Sequence, residues 1–355
     1  MIYWVISIDS LHTRLKMKIL IKKNILKVIC LMVFLPQCTV KEEGIIMTVN
    51  GPILAREMGV TLVHEHILVD FIGADLINAQ RWDKSKVIER SLPFLKQIKD
   101  MGCQTFIECT PAYLGRDPLL LKILSSSSGL NILTSTGYYG AGNNKYLPQH
   151  AFDENADQLA ARWIMEWING IDNTGVKPGF IKIGVASGNL SDLHKKLVLA
   201  AARTHLKTGL TIASHTGPAI PAFEQLEILQ SEGVAPEAFI WVHAQVEKDL
   251  SSHIKAAKMG AWIGLDGLSD NNVEDYVSMI MNMRENHLLD KVLLSHDAGW
   301  YHPGEENGGE FRGYSTLFEK LIPALKNEKF SEKEINQLCV INPSKAFKIS
   351  VHKIR

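Results

Sequence analysis

The stretch TLVHEHILVD, residues 61–70, combines a β-branched apolar run with two histidines one residue apart. Successive side chains of a strand point to opposite faces, so His64 and His66 share one face while Glu65 takes the other. An isolated His-x-His is as readily a hydrogen-bonded structural pair as a metal-binding pair. The remaining strands of the chain decide between these two interpretations.

A short apolar run, a polar loop and an amphipathic helical stretch alternate repeatedly from Gly59 onward. The predicted strands are VTLVHEH (60–66), CQTFIECT (103–110), NILTSTGYY (131–139), FIKIGVA (180–186), LTIASHTG (210–217), FIWVHAQ (239–245), AWIGLDG (261–267) and KVLLSHDAG (291–299). Capped helices are predicted between them, for example from Ser191 to Gly209 and from Asp117 onward. About eight such units favour a parallel sheet closed into a (β/α)8 TIM barrel. No glycine-rich dinucleotide fingerprint follows the first strand, which weighs against an open doubly wound sheet.

The net charge bears on the kind of partner that the protein binds, and the cysteine spacing bears on whether disulfides form. The chain balances 38 Lys and Arg against 38 Asp and Glu, so no general field attracts nucleic acid or an anionic membrane, and we expect a small-molecule partner. Cys103 and Cys109 fall on one predicted strand, too far apart for a disulfide. Together with Cys339 they are interpreted as free thiols.

Residues 1–38 are predicted to be a leader, residues 39–50 a short linker and residues 51–355 the barrel domain. A lysine-rich segment precedes the apolar run VICLMVFL at 28–35, which is too short for a spanning helix and is typical of a secretory signal peptide. Met17 lies just before the basic cluster, so residues 1–16 are a candidate upstream extension. Cys38 after FLPQ resembles a lipoprotein acceptor, although Pro36 and Gln37 depart from the usual small residues. We therefore expect an exported protein, either periplasmic or anchored in the membrane through a lipid on Cys38.

Side chains that can bind metal recur at the carboxyl ends of other predicted strands. Lys182, His215, His243 and Asp297 end the fourth, fifth, sixth and eighth strands. In a barrel these ends meet on one face, where active sites of this fold are built. Imidazoles with a carboxylate suit zinc, or manganese, cobalt or iron. A pair of metals needs a bridging anion, which Lys182 supplies if carbon dioxide carbamylates it; the alternative is a lysine that neutralises Asp297.

The ordered set HEH, FIKIGVA, ASHTG, WVHA and LSHDAG, with LGRDP and the terminal INPSKAF, resembles the phosphotriesterase family of the amidohydrolase superfamily. The resemblance runs from about Gly51 to about Phe347. It implies a hydrolase with two divalent metals, most simply zinc. The ligands that it implies are His64, His66 and Asp297 for the more buried metal, His215 and His243 for the more exposed metal, and carbamylated Lys182 with a hydroxide as bridges.

The sequence departs from the family pattern after the seventh strand. GLDGL places Gly267 where efficient phosphotriesterases carry a histidine and lactonases an arginine, and Val246 lies near the expected acid of the triesterase proton relay. Tyr139 in TGYYG matches a tyrosine of the lactonase branch. We therefore favour a lactone or carboxylic ester as substrate. The alternatives left open are an organophosphate tri- or diester hydrolase and a non-catalytic surface binding protein on the same fold.

Asp297 and Tyr139 are the predicted catalytic residues, Asp297 as acceptor of the hydroxide proton and Tyr139 as a group that orients the substrate. Tyr139, Trp300 and Tyr301 are predicted to line the substrate pocket, because Trp300 and Tyr301 lie on the long glycine-rich loop 298–313 after the last strand. A homodimer is left open as the assembly state.

Five further positions carry weaker signals. Asp266 either orients a metal ligand or substrate or caps the following helix. Glu108 either supports a ligand histidine or satisfies backbone groups. His205, His253 and His287 fall within helical stretches and are expected in solvent.

Overall fold

The first described element is an antiparallel hairpin of β1 (Ile45–Thr48) and β2 (Gly51–Leu54), in a computed structural model that describes residues 44–354. Gly51 turns the chain with a φ of 111°, which side chains other than glycine rarely adopt. Residues 45–50 therefore belong to the folded domain, so the domain begins before the predicted boundary at Gly51. The predicted leader and Cys38 lie outside the described residues.

Parallel strands form the wall of a barrel. They are β3 (Thr61–Glu65), β4 (Thr105–Glu108), β5 (Asn131–Leu133), β6 (Ser135–Thr136), β7 (Phe180–Gly184), β8 (Ile212–His215), β9 (Phe239–Val242), β10 (Trp262–Leu265) and β11 (Val292–Leu294). β5 and β6 continue one wall strand on either side of Thr134. The wall closes beyond β11 and β3, where the Asp297 amide donates to the His64 carbonyl over 3.0 Å. The predicted (β/α)8 TIM barrel is thereby confirmed.

Helices alternate with the wall strands. They are α1 (Lys84–Asp100), α2 (Pro118–Ser128), α3 (Gln149–Asp153), α4 (Ala156–Asn169), α5 (Asp192–Thr208), α6 (Ala219–Ser231), α7 (Leu250–Met259), α8 (Val273–Glu285), α9 (Ile322–Asn327), α10 (Glu332–Asn336) and α11 (Asn342–Ala346), with π-helical turns at Leu317–Leu321 and Gln337–Ile341. The predicted caps are present: Ser191 accepts from the His194 amide at the start of α5, and Asp117 accepts from the Leu120 amide beside Pro118. Within residues 44–354, none of the helices has the length and apolar character needed to cross a membrane.

Two apolar clusters hold the fold together. The larger lies between strands and helices, and the smaller fills the barrel interior with side chains such as Val63, Phe180 and Leu293. Ile46 of the hairpin and Phe347 after α11 belong to the interior cluster. Cys103, Cys109 and Cys339 are free and buried, as predicted.

Two of the three histidines expected in solvent are buried instead, whereas His287 is exposed. His205 is 0% exposed and its Nδ1 donates to the Leu210 carbonyl over 2.9 Å, while His253 is 1% exposed and its Nε2 donates to the Ala244 carbonyl over 2.7 Å. A backbone carbonyl at the inner helix face makes burial of a neutral imidazole tolerable. His205 Nε2 in turn accepts from the amide of His352, which ties the C-terminal segment 350–354 to α5.

Candidate metal centre

Simple strand alternation turns two of the predicted ligands into the barrel. Lys182 follows Phe180 of the interior cluster by two residues on β7, and His215 follows Ala213 of the same cluster by two residues on β8. Lys182 is 2% exposed. For these two residues the sequence pattern alone determines the direction of the side chain.

Backbone irregularities place the other ligands. The register of β3 against β4 shifts between Leu62 and Glu65, as in a β-bulge, so that Val63 and His64 both reach the interior. His243 adopts a left-handed φ of 61° directly after β9, and Asp297 a φ of 52° after β11. Conformations of this kind are uncommon for residues other than glycine and cluster at functional sites.

The imidazole Nε2 atoms converge on the carboxylate of Asp297. His66 Nε2 lies 3.0 Å from it, His64 Nε2 3.7 Å and His243 Nε2 4.0 Å. The ring of His215 packs against that of His243, with centroids 4.4 Å apart. Lys182 Nζ lies 3.1 Å from His64 Nε2. The structure thus brings all six predicted ligand residues into one cluster, in which His64, His66 and Asp297 form a candidate metal site.

A second layer of oxygen atoms fixes these rings. Asp266 accepts from Nδ1 of His64 over 2.9 Å and from Nδ1 of His243 over 2.7 Å. The Thr110 hydroxyl accepts from Nδ1 of His66 over 2.8 Å and donates to Glu108 over 2.5 Å. Asp266 therefore orients two of the predicted ligand histidines, His64 and His243, and Glu108 supports His66 through Thr110. These contacts leave the Nε2 lone pairs facing Asp297, which is the arrangement that metal-binding histidines require.

Protonation in the cluster also suits a cation. Burial lowers the pKa of His64 to about 4 and that of His215 well below its usual value. Burial disfavours the charged forms of His243 and Asp297 too, but the Asp266 carboxylate raises the pKa of His243, and His64 and His66 hold the pKa of Asp297 below its ordinary value. Ionised Asp297 and neutral His64 and His215 are the forms that bind divalent metals, whereas His243, whose pKa is raised, would release its proton as a metal binds. The donor set therefore fits such ions.

Lys182 has an environment that an ordinary ammonium rarely has. It is buried against His64, and no ion pair joins it to a carboxylate anywhere in the described part of the chain. The alternative in which Lys182 directly neutralises Asp297 therefore does not match the geometry. Buried charges are normally paired, whereas the contact that the structure gives the Lys182 amine is to a ring nitrogen of His64.

A cavity of about 60 Å³ opens above the cluster. Its wall beyond the ligands consists of Val69, Phe71, Cys109, Pro111, Leu114, Tyr139 and Trp300. The Tyr139 hydroxyl lies 3.2 Å from both ring nitrogens of His215, and the Trp300 ring centroid lies 5.5 Å from that of His66. Phe71, 37% exposed and 5.5 Å from the Trp300 ring, closes the outer edge. Phe71 lies in the largely apolar segment ILVDFIG (67–73), and nothing in that segment singles it out from its apolar neighbours, so the sequence did not predict it as a wall residue.

Tyr301 is not brought into this cavity. Its side chain packs beside Gly308 and borders a separate surface depression with Arg90 and Phe94, while its amide donates to the Ile67 carbonyl over 2.9 Å. Trp300 has a left-handed φ of 77°, which turns the chain between the two aromatic residues. Trp300 therefore faces the metal cluster and Tyr301 faces away from it.

The position after Asp266 differs from the family pattern in a way that the structure explains. A Cβ atom on Gly267 would lie 2.7 Å from Nε2 of Gln245. The Gln245 amide bonds Asp266 twice, donating to its carboxylate and accepting from its backbone amide, both over 3.2 Å. Gln245 thus occupies the space in which a side chain at position 267 would begin.

Most of the described domain is similar in sequence to known proteins. The model of the Phosphotriesterase family matches residues 44–347. A phosphotriesterase homology protein of Escherichia coli (strain K12) is 30% identical over 293 residues, which cover 81% of this chain and 98% of the relative. An aryldialkylphosphatase of Saccharolobus solfataricus is 26% identical over 308 residues, with 82% and 96% covered. A phospho-furanose lactonase of Mycoplasmopsis synoviae (strain 53) is 26% identical over 328 residues, with 86% and 92% covered.

Proposed function

The chain belongs to the phosphotriesterase family of metal-dependent hydrolases, and we propose that its substrate is an uncharged lactone or carboxylic ester. The observation that carries the proposal is the chemistry of the cavity wall. Apart from Lys182 and the ligand histidines, the described residues that line the cavity include no basic side chain. A phosphate group on the substrate would therefore lack the guanidinium or ammonium partner that such groups usually find.

The residues that would hold two divalent metals are His64, His66, Lys182, His215, His243 and Asp297. We propose zinc as the native metal, with manganese, cobalt or iron as alternatives, and carbamylation of Lys182 as the source of the shared anion. The convergence of Nε2 atoms and the unpaired, buried Lys182 support this assignment. Metals bound there would polarise the substrate carbonyl and lower the pKa of water.

Side chains of the protein then carry out proton transfer, orient the substrate and exclude water. Asp297, ionised at neutral pH, accepts a proton from the nucleophilic water and passes it towards the leaving oxygen. The Tyr139 hydroxyl, beside His215, donates a hydrogen bond that orients the substrate. Phe71 and Trp300 cover the reacting bond and exclude bulk water, which strengthens the electrostatic interactions inside.

A substrate comparison tests the proposal. The full-length chain is loaded with zinc in bicarbonate, and kcat/KM is measured for neutral lactones, the matching phosphorylated lactones, aryl carboxylic esters and paraoxon, with Asp297→Asn as control. We expect a neutral lactone or ester to exceed its phosphorylated counterpart by at least about tenfold, roughly one charge-assisted hydrogen bond. Paraoxon, an uncharged triester, should also be slower, because Gly267 stands where the relay histidine is expected. Faster turnover of the phosphorylated lactone, or of paraoxon, would reverse the assignment.

Organophosphate hydrolysis remains the enzymatic rival, since one relative is named an aryldialkylphosphatase. The surroundings of Gly267 disfavour it, because Gln245 fills the place of the relay histidine and Val246, 51% exposed, carries no proton-transferring group. The complete ligand cluster disfavours a non-catalytic binding protein. If the protein binds metal but turns over no ester, lactone or organophosphate in the comparison, a non-catalytic binding protein would be favoured.

We propose further that the leader exports the protein and that Cys38 is the lipid acceptor of the mature chain. The basic segment and the apolar run 28–35 support export, and the FLPQC sequence supports lipidation. Cell fractionation with mass analysis of the N-terminus tests both; full-length, uncleaved protein in the cytoplasm would contradict them. A homodimer is proposed as the assembly state, to be checked by light scattering.

A further inference from the structure

A fully buried carboxylate binds both sides of the turn that carries Asp297. Glu65 lies between His64 and His66 on β3, faces away from the ligand cluster and is 0% exposed. Its Oε1 accepts from the Ser295 hydroxyl over 2.7 Å, the His296 amide over 3.0 Å and His296 Nδ1 over 2.6 Å. Its Oε2 accepts from the Ala298 amide over 2.9 Å. The turn that we call the Asp297 turn, residues 295–298, is thereby tied to one side chain.

The ring of His296 completes this attachment. Its Nε2 accepts from the Leu317 amide over 3.0 Å, so its ring proton lies on Nδ1 and points to Glu65. His296 is 1% exposed. The pair therefore connects β3 to the first π-helical turn at Leu317, and every polar atom of the imidazole is used.

The conformation of Asp297 explains why such an attachment is needed. Its φ of 52° lies in the left-handed region, which costs energy for an L-residue, although less for Asp than for most, and persists where the surroundings hold it. The chain also runs close to β3, since a Cβ on Gly299 would lie 1.9 Å from the His66 carbonyl oxygen. In this conformation the Asp297 carboxylate lies 3.0 Å from Nε2 of His66 and 3.7 Å from Nε2 of His64.

We propose that Glu65 is a positioning residue for the metal centre: by binding the Asp297 turn it holds Asp297 in its left-handed conformation and so sets the metal affinity. The inference rests on the proposed metal centre, but not on the proposed substrate. Asp266 and Thr110 act on the rings of ligand histidines, whereas Glu65 acts on the backbone of the carboxylate ligand. A role in stability alone would change the melting temperature without changing metal affinity.

The test measures metal affinity in the absence of substrate. Zinc and cobalt dissociation constants are measured by chelator competition on full-length wild type, Glu65→Gln and Ser295→Ala, together with the absorption spectrum of the cobalt form. Glutamine at position 65 presents an amide N–H to one of the N–H donors of the turn. Alanine at position 295 removes the hydroxyl that donates to Glu65 and accepts from the His64 amide over 3.0 Å, so the second variant tests the attachment of the turn to β3 if the first does not fold. We expect the affinity for at least one metal to fall about 10- to 100-fold and the cobalt spectrum to shift.

Glu166→Gln is the matched control. Glu166 binds buried Arg116 over 2.6 and 2.9 Å and makes no contact with the Asp297 turn, so its variant should lower the melting temperature and keep the metal affinity. Wild-type affinity and spectrum in both Glu65→Gln and Ser295→Ala would overturn the proposal, as would wild-type protein that binds no metal. Normal metal binding without turnover of any lactone or ester would instead count against the proposed function alone.

Discussion

Replacing Asp266 by asparagine should disable one ligand histidine without removing any ligand. In the wild type both carboxylate oxygens accept, one from Nδ1 of His64 and the other from Nδ1 of His243. Asparagine keeps one acceptor and turns its amide nitrogen towards the other ring. That ring must then present a lone pair at Nδ1, which moves its proton to Nε2 and blocks the atom that faces Asp297.

The size of the effect follows from these contacts. A buried hydrogen bond to a charged group contributes about 1.5–3 kcal/mol, and loss of an outer partner of a metal-bound histidine lowers metal affinity about 10- to 100-fold. One of the two imidazoles keeps its partner in Asp266→Asn. We therefore expect the zinc affinity to fall 10- to 100-fold, equivalent to about 1.4–2.7 kcal/mol. This is the effect of losing the partner of one histidine, not of both.

The assay is zinc content after dialysis against graded chelator, followed by elemental analysis. The control is Asp249→Asn, since Asp249 accepts from the Ser251 amide at the start of α7 and does not contact any ligand. Wild-type zinc affinity in Asp266→Asn would refute the orientation role of Asp266. Equal losses in both variants would mean that general destabilisation, not the tautomer, controls metal binding.

Three further outcomes are expected. Lys182→Ala should lose metal and activity, and short carboxylic acids should partly restore both; normal metal content without added acid would contradict the carbamate. Tyr139→Phe should slow lactone turnover about 10- to 1,000-fold with metal content intact, which a full metal and kinetic analysis would check. Burial lowers the pKa of His205 and His352 below the value of 6.5 that they have in an open chain, so as pH falls below about 6.5 the open form takes up protons before the folded form does. The contact between segment 350–354 and α5 should therefore weaken over that range, and faster amide exchange in the segment would measure it.

Much of the barrel and of the ligand cluster could be predicted because the signals are local. Strand alternation alone aims Lys182 and His215, and strand ends of a barrel meet on one face whatever the loops do. The helix caps at Ser191 and Asp117 are predictable for the same reason, because each is identified by the residues that directly follow it in the sequence.

The features that could not be predicted depend on contacts far apart in the chain. Glu65 meets His296 and Asp266 meets His64 only after the barrel has closed, and no pattern in either segment reports that closure. The sequence predicts Tyr301 in the pocket only because Tyr301 shares a loop with Trp300. The left-handed conformation of Trp300 turns the Tyr301 side chain away from the cavity, and the amino-acid composition of the loop does not indicate that conformation.

The contact between Gln245 and the empty side of Gly267 constrains how this site can change under selection. A histidine at position 267 would displace the Gln245 amide and break its two hydrogen bonds to Asp266 before any new proton path exists. Replacing Gln245 by a small residue breaks the same two hydrogen bonds but leaves space beside position 267. Either order of substitution therefore passes through an intermediate in which Asp266 has lost Gln245, and the route that begins at position 267 adds a steric clash to that loss.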